Sequence, residues 1–452
     1  MNISIDSIIL EALKQVQPSV DEVKKLTEIA NETLKRVKQS ITSKVVDVII
    51  GGSFAKGTWI NDDVDIDIFV KFDKSVDDDQ FRKLGQLIGW ESLREFGPYV
   101  RFADHPYVEA VIEGVRVNVV PCYDVAIGKW KSAADRSPFH TKYMNDHLDD
   151  EKRNHVRLLK RFLKSSETYG ADIATGGLSG YVAEILILKY GSCTEVLNVI
   201  SNMGPKDNVI SIYNHSENKF SFSSPLIIID PIDHKRNLGA AISAVTLGKL
   251  ILSARLFLAK PSADFFCKPK KTIQKCWQLF SNLLVLEFKY ENRSPDVLRG
   301  QLKKSVIAIS KQLELAAFKV FRITCVTDEK GSAAFGFLLE STTLSTYAQK
   351  IGPKVLMKKE TDNFITENQN ELLLSWVDNE MRVRSVMRRR VTDAKDFLKY
   401  LLTCKIDSIG ITKGLIEDIR RSFQICSGSD LKTSDVVMEA VVDLLTSDEG
   451  LL

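Results

Sequence analysis

Residues 51–70 read GGSFAKGTWINDDVDIDIFV, and this stretch decides the fold. An apolar run, Val45-Val46-Asp47-Val48-Ile49-Ile50, leads into two glycines and a serine. A short helix-length segment and a polar turn at Asn61-Asp62-Asp63 come next, then a second apolar run that carries Asp65 and Asp67. Strand side chains alternate between faces. Val64, Ile66 and Ile68 therefore enter a core, and Asp65 and Asp67 share the opposite face. Two carboxylates side by side repel unless a cation lies between them. Oxygen ligands of this kind suit Mg²⁺.

The glycine-serine turn supplies a partner for that cation. Glycine permits a tight turn whose N–H groups face a phosphate, and a following helix start adds its positive end. Ser53 offers a hydroxyl and Lys56 a charge. A phosphate cradle beside a two-carboxylate metal site is the equipment of nucleotidyl transfer, in which two metals clamp the attacking and leaving oxygens. The stretch lacks the Gly-Lys-Ser/Thr order of a Walker loop.

On these residues the chain resembles the polymerase-β-like nucleotidyltransferase superfamily. Downstream, His105-Pro106-Tyr107, the run from Val117 to Tyr123, and Ser137-Pro138-Phe139-His140 are similar to the archaeal, class I CCA-adding enzymes. So are Arg157-Leu158-Leu159-Lys160, Tyr169-Gly170-Ala171, Leu178-Ser179-Gly180-Tyr181 and Asp230-Pro231-Ile232-Asp233. The likeness continues more weakly through Phe335-Gly336-Phe337 and Gly352-Pro353. It implies a third carboxylate on a strand beside the Asp pair. The run from Val108 to Val120 reads as that strand, and the matching residue is Asn118, on one face with Arg116. An amide keeps the shape and one neutral oxygen, but supplies no charge and accepts no proton. Equal rates for Asn118 and an Asn118→Asp form would mean that the third carboxylate is dispensable or that another acid, such as Glu109 or Glu113, has taken its place.

The resemblance implies addition or repair of the 3′-terminal CCA of tRNA from CTP and ATP, without a template. Asp65, Asp67 and Asn118 then hold two Mg²⁺. Gly52, Ser53, Lys56 and Lys160 take the triphosphate, His140 and Tyr169 seat the nucleotide, and Arg236 reaches its base. It also implies a homodimer. Two alternatives stand beside this reading: a poly(A) polymerase or oligoadenylate synthase type of transferase, and a form that binds tRNA and nucleotide without turnover because of Asn118.

Length and charge frame these expectations. A chain of 452 residues is multidomain. Periodicity predicts an α/β head over 1–148, a helical neck over 149–259 and a C-terminal α/β body and tail over 260–452. Helices are expected from Pro18 to Ser40, after Asp149-Asp150, and from Ser179 to Tyr190, with Ser179 as cap. Arg153, Arg157, Lys160 and Lys164 line one helix face. Seven scattered cysteines without a Cys-x-x-Cys pair read as buried thiols in a reducing compartment, as at Cys122, Cys276 and Cys404. No signal peptide or spanning segment is evident, so the expected compartment is the cytosol, away from membranes. Net charge is only +3, so RNA binding requires segregated positive charge. The densest run is Arg382 to Arg390. As a strand it would present Arg382, Arg384, Arg388 and Arg390 on one face, suited to the phosphates of a tRNA acceptor arm.

Overall fold

In the computed structural model the described residues are all but 1–3, 62, 102–105, 174, 206, 214–223, 268–275, 292, 433 and 447–452. Asp62 of the polar turn and His105 of the motif lie outside them. The described residues form two compact units, one within 4–267 and one within 276–446.

The first unit begins with helices α1 (Ile5–Val16) and α2 (Val20–Gln39). Ser19 and Glu22 cap α2 reciprocally, each side chain accepting the other's backbone N–H. Strand β1 (Val45–Gly51), helix α3 (Gly52–Lys56), strand β2 (Asp65–Asp73) and helix α4 (Asp78–Leu93) follow. Strands β3 (Tyr99–Arg101), β4 (Tyr107–Ile112) and β5 (Val115–Asp124) complete a five-stranded sheet in the order β1-β2-β5-β4-β3. Only β2 and β5 run parallel. Its core is built by the alternation read in the sequence: Ile66, Ile68, Val117 and Val119 are fully buried, with Leu26 and Ile29 of α2 against them.

The run from Val108 to Val120 is two strands rather than the single strand expected. Glu113 and Gly114, both with positive φ, turn β4 back into β5. This is the two-residue hairpin geometry. Expecting one strand there misses that Glu109 and Asn118 are neighbours across the hairpin.

Helices α5 (Arg136–His147), α6 (Asp150–Ser165), α7 (Gly180–Tyr190) and α8 (Cys193–Ser201) follow, then the short parallel pair β6 (Val209–Ile210) and β7 (Ile227–Ile228), and α9 (Ala244–Ala259). The last helix follows a turn over residues 238–241 and starts at Ala244, with Ser243 as its cap. Asp149 caps α6 and Ser179 caps α7. A second core of Leu159, Phe162, Ile185, Leu186 and Phe257 joins these helices.

The second unit holds β8 (Leu283–Lys289), α10 (Pro295–Leu315), β9 (Val320–Thr327) and β10 (Ser332–Leu339). A turn from Asp328 to Gly331 joins β9 to β10, with Asp328 accepting from the backbone of Lys330 and Ser332. Strand β11 (Tyr347–Lys354), helix α11 (Lys358–Asn368), strands β12 (Leu372–Val377) and β13 (Arg382–Arg388), and helices α12 (Ala394–Cys404) and α13 (Lys413–Arg421) come next. Strand β14 (Phe423–Cys426) and helix α14 (Asp435–Leu445) end it. The sheets are ordered β14-β8-β10-β9 and β11-β13-β12. All seven cysteines are free; Cys122 is buried, but Cys404 is exposed at the end of α12, contrary to expectation. Among the described residues no helix is long and apolar enough to cross a membrane.

Candidate active site

The first turn after β1 exists because of glycine. Gly52 has φ +67°, and a methyl carbon there would lie 1.9 Å from Asp67 Oδ2. Any side chain would therefore push into the carboxylate. Helix α3 is only five residues long and ends at Gly57, also left-handed. The turn's own N–H groups, rather than a long helix dipole, are what it presents. Ser53 is half-buried on its first turn.

Strand register then assembles one row across the sheet. Gly51 pairs with Asp67, Asp67 with Asn118, Asn118 with Glu109, and Glu109 with Tyr99. Paired residues share a face, so Asp67 and Asn118 are neighbours, as the sequence predicts. Asp65 lies one step along, paired with Arg116. Asn118 Nδ2 donates to Asp67 Oδ1 at 2.9 Å. Asn118 Oδ1 is buried and lacks a partner. Burial pushes the Asp67 carboxyl above its ordinary range, against the Asn118 hydrogen bond, and nearby Asp65 raises it further.

Arg116 Nε donates to Asp65 at 2.5 Å and its Nη2 to Asp63 at 2.8 Å. Lys164 pairs with Asp63 at 2.5 Å. Asp63 closes the polar turn, its N–H bonded to the Ile60 carbonyl at 3.0 Å, and its carboxylate joins Arg116 and Lys164 beside Asp65, a contact the sequence does not signal. The donor set is oxygen-rich and hard, and the orphaned Asn118 oxygen is an acceptor without a donor. Both suit a divalent cation between the strands. Among the described residues no group of three His, Cys, Asp or Glu is placed to hold a metal; beside Asp67 the row carries the amide of Asn118.

Lys56 and Lys160, expected on the triphosphate, are both inside. Lys56 Nζ meets Glu184 Oε2 at 2.6 Å. Lys160 Nζ donates to the Thr58 carbonyl at 2.9 Å and lies 3.7 Å from Glu184 Oε1. Thr58 Oγ1 donates to the same carboxylate at 2.5 Å. Burial would raise the Glu184 carboxyl, but the two ammonium groups hold it below its ordinary range. Burial lowers Lys160 to about 8 despite Glu184. Arg157 donates to the carbonyls of Gly57 and Trp59. The basic face of α6 thus grips the glycine turn from behind. Glu184 escaped the sequence reading, although a lone acid among the apolar residues of α7 was its signal.

His140 and Arg236 meet at Asp230. His140 Nε2 lies 3.0 Å and Arg236 Nη1 3.3 Å from Asp230 Oδ2. The His140 ring stacks on Tyr181 at 3.9 Å, and Lys56 lies 5.5 Å from the centre of that same Tyr181 ring. This cluster therefore adjoins the glycine turn. Burial lowers the His140 pKa, opposed by Asp230. Tyr169 is held with Lys164 over its ring at 5.2 Å, and burial pushes its phenol up.

In the second unit, Arg382, Arg384 and Arg388 alternate onto one face of β13, but the strand ends at Arg388 and Arg390 falls outside the alternation. Arg384 pairs with Asp378 at 2.5 Å, Arg382 with Glu380 at 3.4 Å, and Arg390 with Glu371. Arg388 is exposed.

A mixed sheet with paired acidic strands, a glycine turn and a helical neighbour defines a polymerase-β-like nucleotidyltransferase. The family model for the nucleotidyltransferase domain matches residues 30–140. Models described as tRNA nucleotidyltransferase, second domain, and CCA-adding enzyme, C-terminal domain, match 154–267 and 281–428. The chain is 37% identical to the CCA-adding enzyme of Sulfurisphaera tokodaii, over 87% of this chain and 91% of that one. Identity is 34% to that of Pyrobaculum neutrophilum, over 87% and 93%, and 30% to that of Methanothermobacter thermautotrophicus, over 96% and 95%. A solved cytoplasmic RNA terminal U-transferase aligns with 59% of this chain and 98% of its own at 15% identity, with a TM-score of 0.46. The chain belongs to the family of CCA-adding enzymes. Membership brings nucleotide substrates and a divalent metal in general terms.

Proposed function

We propose that the chain adds or repairs the 3′-terminal CCA of tRNA from CTP and ATP, releasing pyrophosphate. The observation that carries this reading is the row in which Asp67 and Asn118 stand side by side next to Asp65, against the Gly52 turn. Asp65, Asp67 and Asn118 would hold two Mg²⁺, which when bound stabilise the attacking and leaving oxygens as Lewis acids. The Gly52 and Ser53 amides and the Ser53 hydroxyl receive the triphosphate. Lys56 and Lys160 serve that cradle from behind, by fixing Thr58 and the turn through Glu184. His140 and Tyr169 border the nucleotide. Asp230 aims Arg236, whose half-exposed guanidinium offers donors to a base edge or phosphate.

Residues 1–148 serve as head, 149–259 as neck, and 260–452 as body and tail that hold the acceptor arm by shape and phosphate contact. On this reading Arg382, Arg384, Arg388 and Arg390 face RNA, and the working form is a cytoplasmic homodimer. Asn118 favours one second reading, a form that binds tRNA and nucleotide but turns over slowly. The test is labelled-nucleotide incorporation by Asp65→Ala and Asp67→Ala. Both should lose incorporation with an unchanged circular dichroism spectrum; full activity in either contradicts the site.

A further inference from the structure

We infer that Glu109 is a positioning residue that turns the Asn118 amide into a cation ligand. The inference rests on the reading that Asp65 and Asp67 bind the cation.

Asn118 stands between Asp67 on one neighbouring strand and Glu109 on the other. An amide has a donor end and an acceptor end, whereas an ionised carboxylate only accepts. Two flanking acceptors therefore cannot satisfy one amide. The structure shows this conflict: Nδ2 donates to Asp67, and Oδ1 is left buried and unpaired. Turning the amide end for end gives Nδ2 to Glu109 and brings Oδ1 beside the Asp67 oxygens. Three oxygens then crowd together, a repulsive arrangement unless a cation joins them. With a cation present every polar atom of the row has a partner.

Glu109 is built for this part. It is almost fully buried on β4, held by the Tyr99 hydroxyl and by Arg101 Nε at 3.2 Å. Its negative charge, acting through the N–H group, polarises the amide oxygen. In this way a neutral ligand recovers part of the missing carboxylate's field, as carboxylates do behind metal-bound histidines. Glu113 has no such place. It lies at the hairpin turn, exposed, 3.4 Å from Lys25.

The test is Mn²⁺ binding to the full chain, read by electron paramagnetic resonance without nucleotide. Glu109→Gln should weaken Mn²⁺ by about 10-fold or more, the usual effect of losing an outer partner. In an Asn118→Asp background the same change should have little effect, because an aspartate needs no partner to face the cation. Glu113→Gln, which removes the exposed acid at the hairpin turn, should leave affinity unchanged. Should Glu109→Gln alone fail to fold, a loss of Mn²⁺ affinity on adding it to Asn118→Asp still overturns the proposal. Equal losses in both backgrounds, or no loss in the parent chain, overturn the proposal. Asp67→Asn separates the two levels of the argument. If it abolishes Mn²⁺ binding while Glu109→Gln does not weaken it, the role of Glu109 alone is wrong. If Asp67→Asn binds Mn²⁺ like the parent, the metal-site reading is wrong and the role of Glu109 falls with it.

Discussion

Glu184 and its two lysines show how single residues shape this site. The carboxylate is fully buried, and Lys56 and Lys160 approach it from α3 and α6. Removing one partner of a buried ion pair leaves charge without compensation. Glu184→Gln leaves two ammonium groups facing each other and should lower stability by about 3–5 kcal/mol, as urea unfolding would show. Lys160 adds a pH signature. Its folded pKa of about 8 lies below the ordinary 10.5. Between those values the unfolded chain binds more protons, so stability rises with pH across that window. Lys160→Met should lack this rise; an unchanged profile would show that the ammonium is not confined. Asn118 carries the other prediction at this scale. Restoring the acid as Asn118→Asp should raise the single-turnover rate by about 10²–10⁴, the usual worth of general-base help, with nucleotide affinity little changed. Equal rates would mean that no proton acceptor is missing at this position.

At the scale of elements, β13 makes the clearest claim on RNA. Arg388 is its exposed arginine, while Arg384 and Arg382 are drawn toward Asp378 and Glu380. Each neutralised phosphate contributes about 0.7–0.9 to the slope of log affinity against log salt. Arg388→Ala should reduce the slope for tRNA by about that amount, and an unaltered slope would remove β13 from the interface. The same strand shows what local pattern does and does not reveal. Alternation placed Arg382, Arg384 and Arg388 on one face, but nothing local marked the strand's end before Arg390. In the head, alternation placed Asp65 and Asp67 correctly, because the apolar residues between them had to enter a core. It failed at Glu113-Gly114. Apolar residues continue on both sides of that pair, and glutamate is an uncommon residue at positive φ. The row from Gly51 to Tyr99 depends on register between distant strands. So do the links from Lys56, Lys160 and His140 to Glu184 and Asp230, which spacing along the chain does not encode.

At the scale of the whole molecule, the ordered motifs carried most of the reading. Family models match in turn along the head, the following helical segment and the C-terminal segment. The sheet and the helices α5 to α7 then place the glycine turn, the acidic row and the Asp230 cluster within one compact unit. Such an arrangement makes a definite product claim. The most direct measurement is incubation of the chain with tRNA lacking its last three nucleotides, together with CTP, ATP and Mg²⁺, followed by sequencing of the 3′ end. The account predicts C, C and A added in that order, then arrest, with no addition when Mg²⁺ is withheld. A long A run, or no addition under any metal condition, would contradict it.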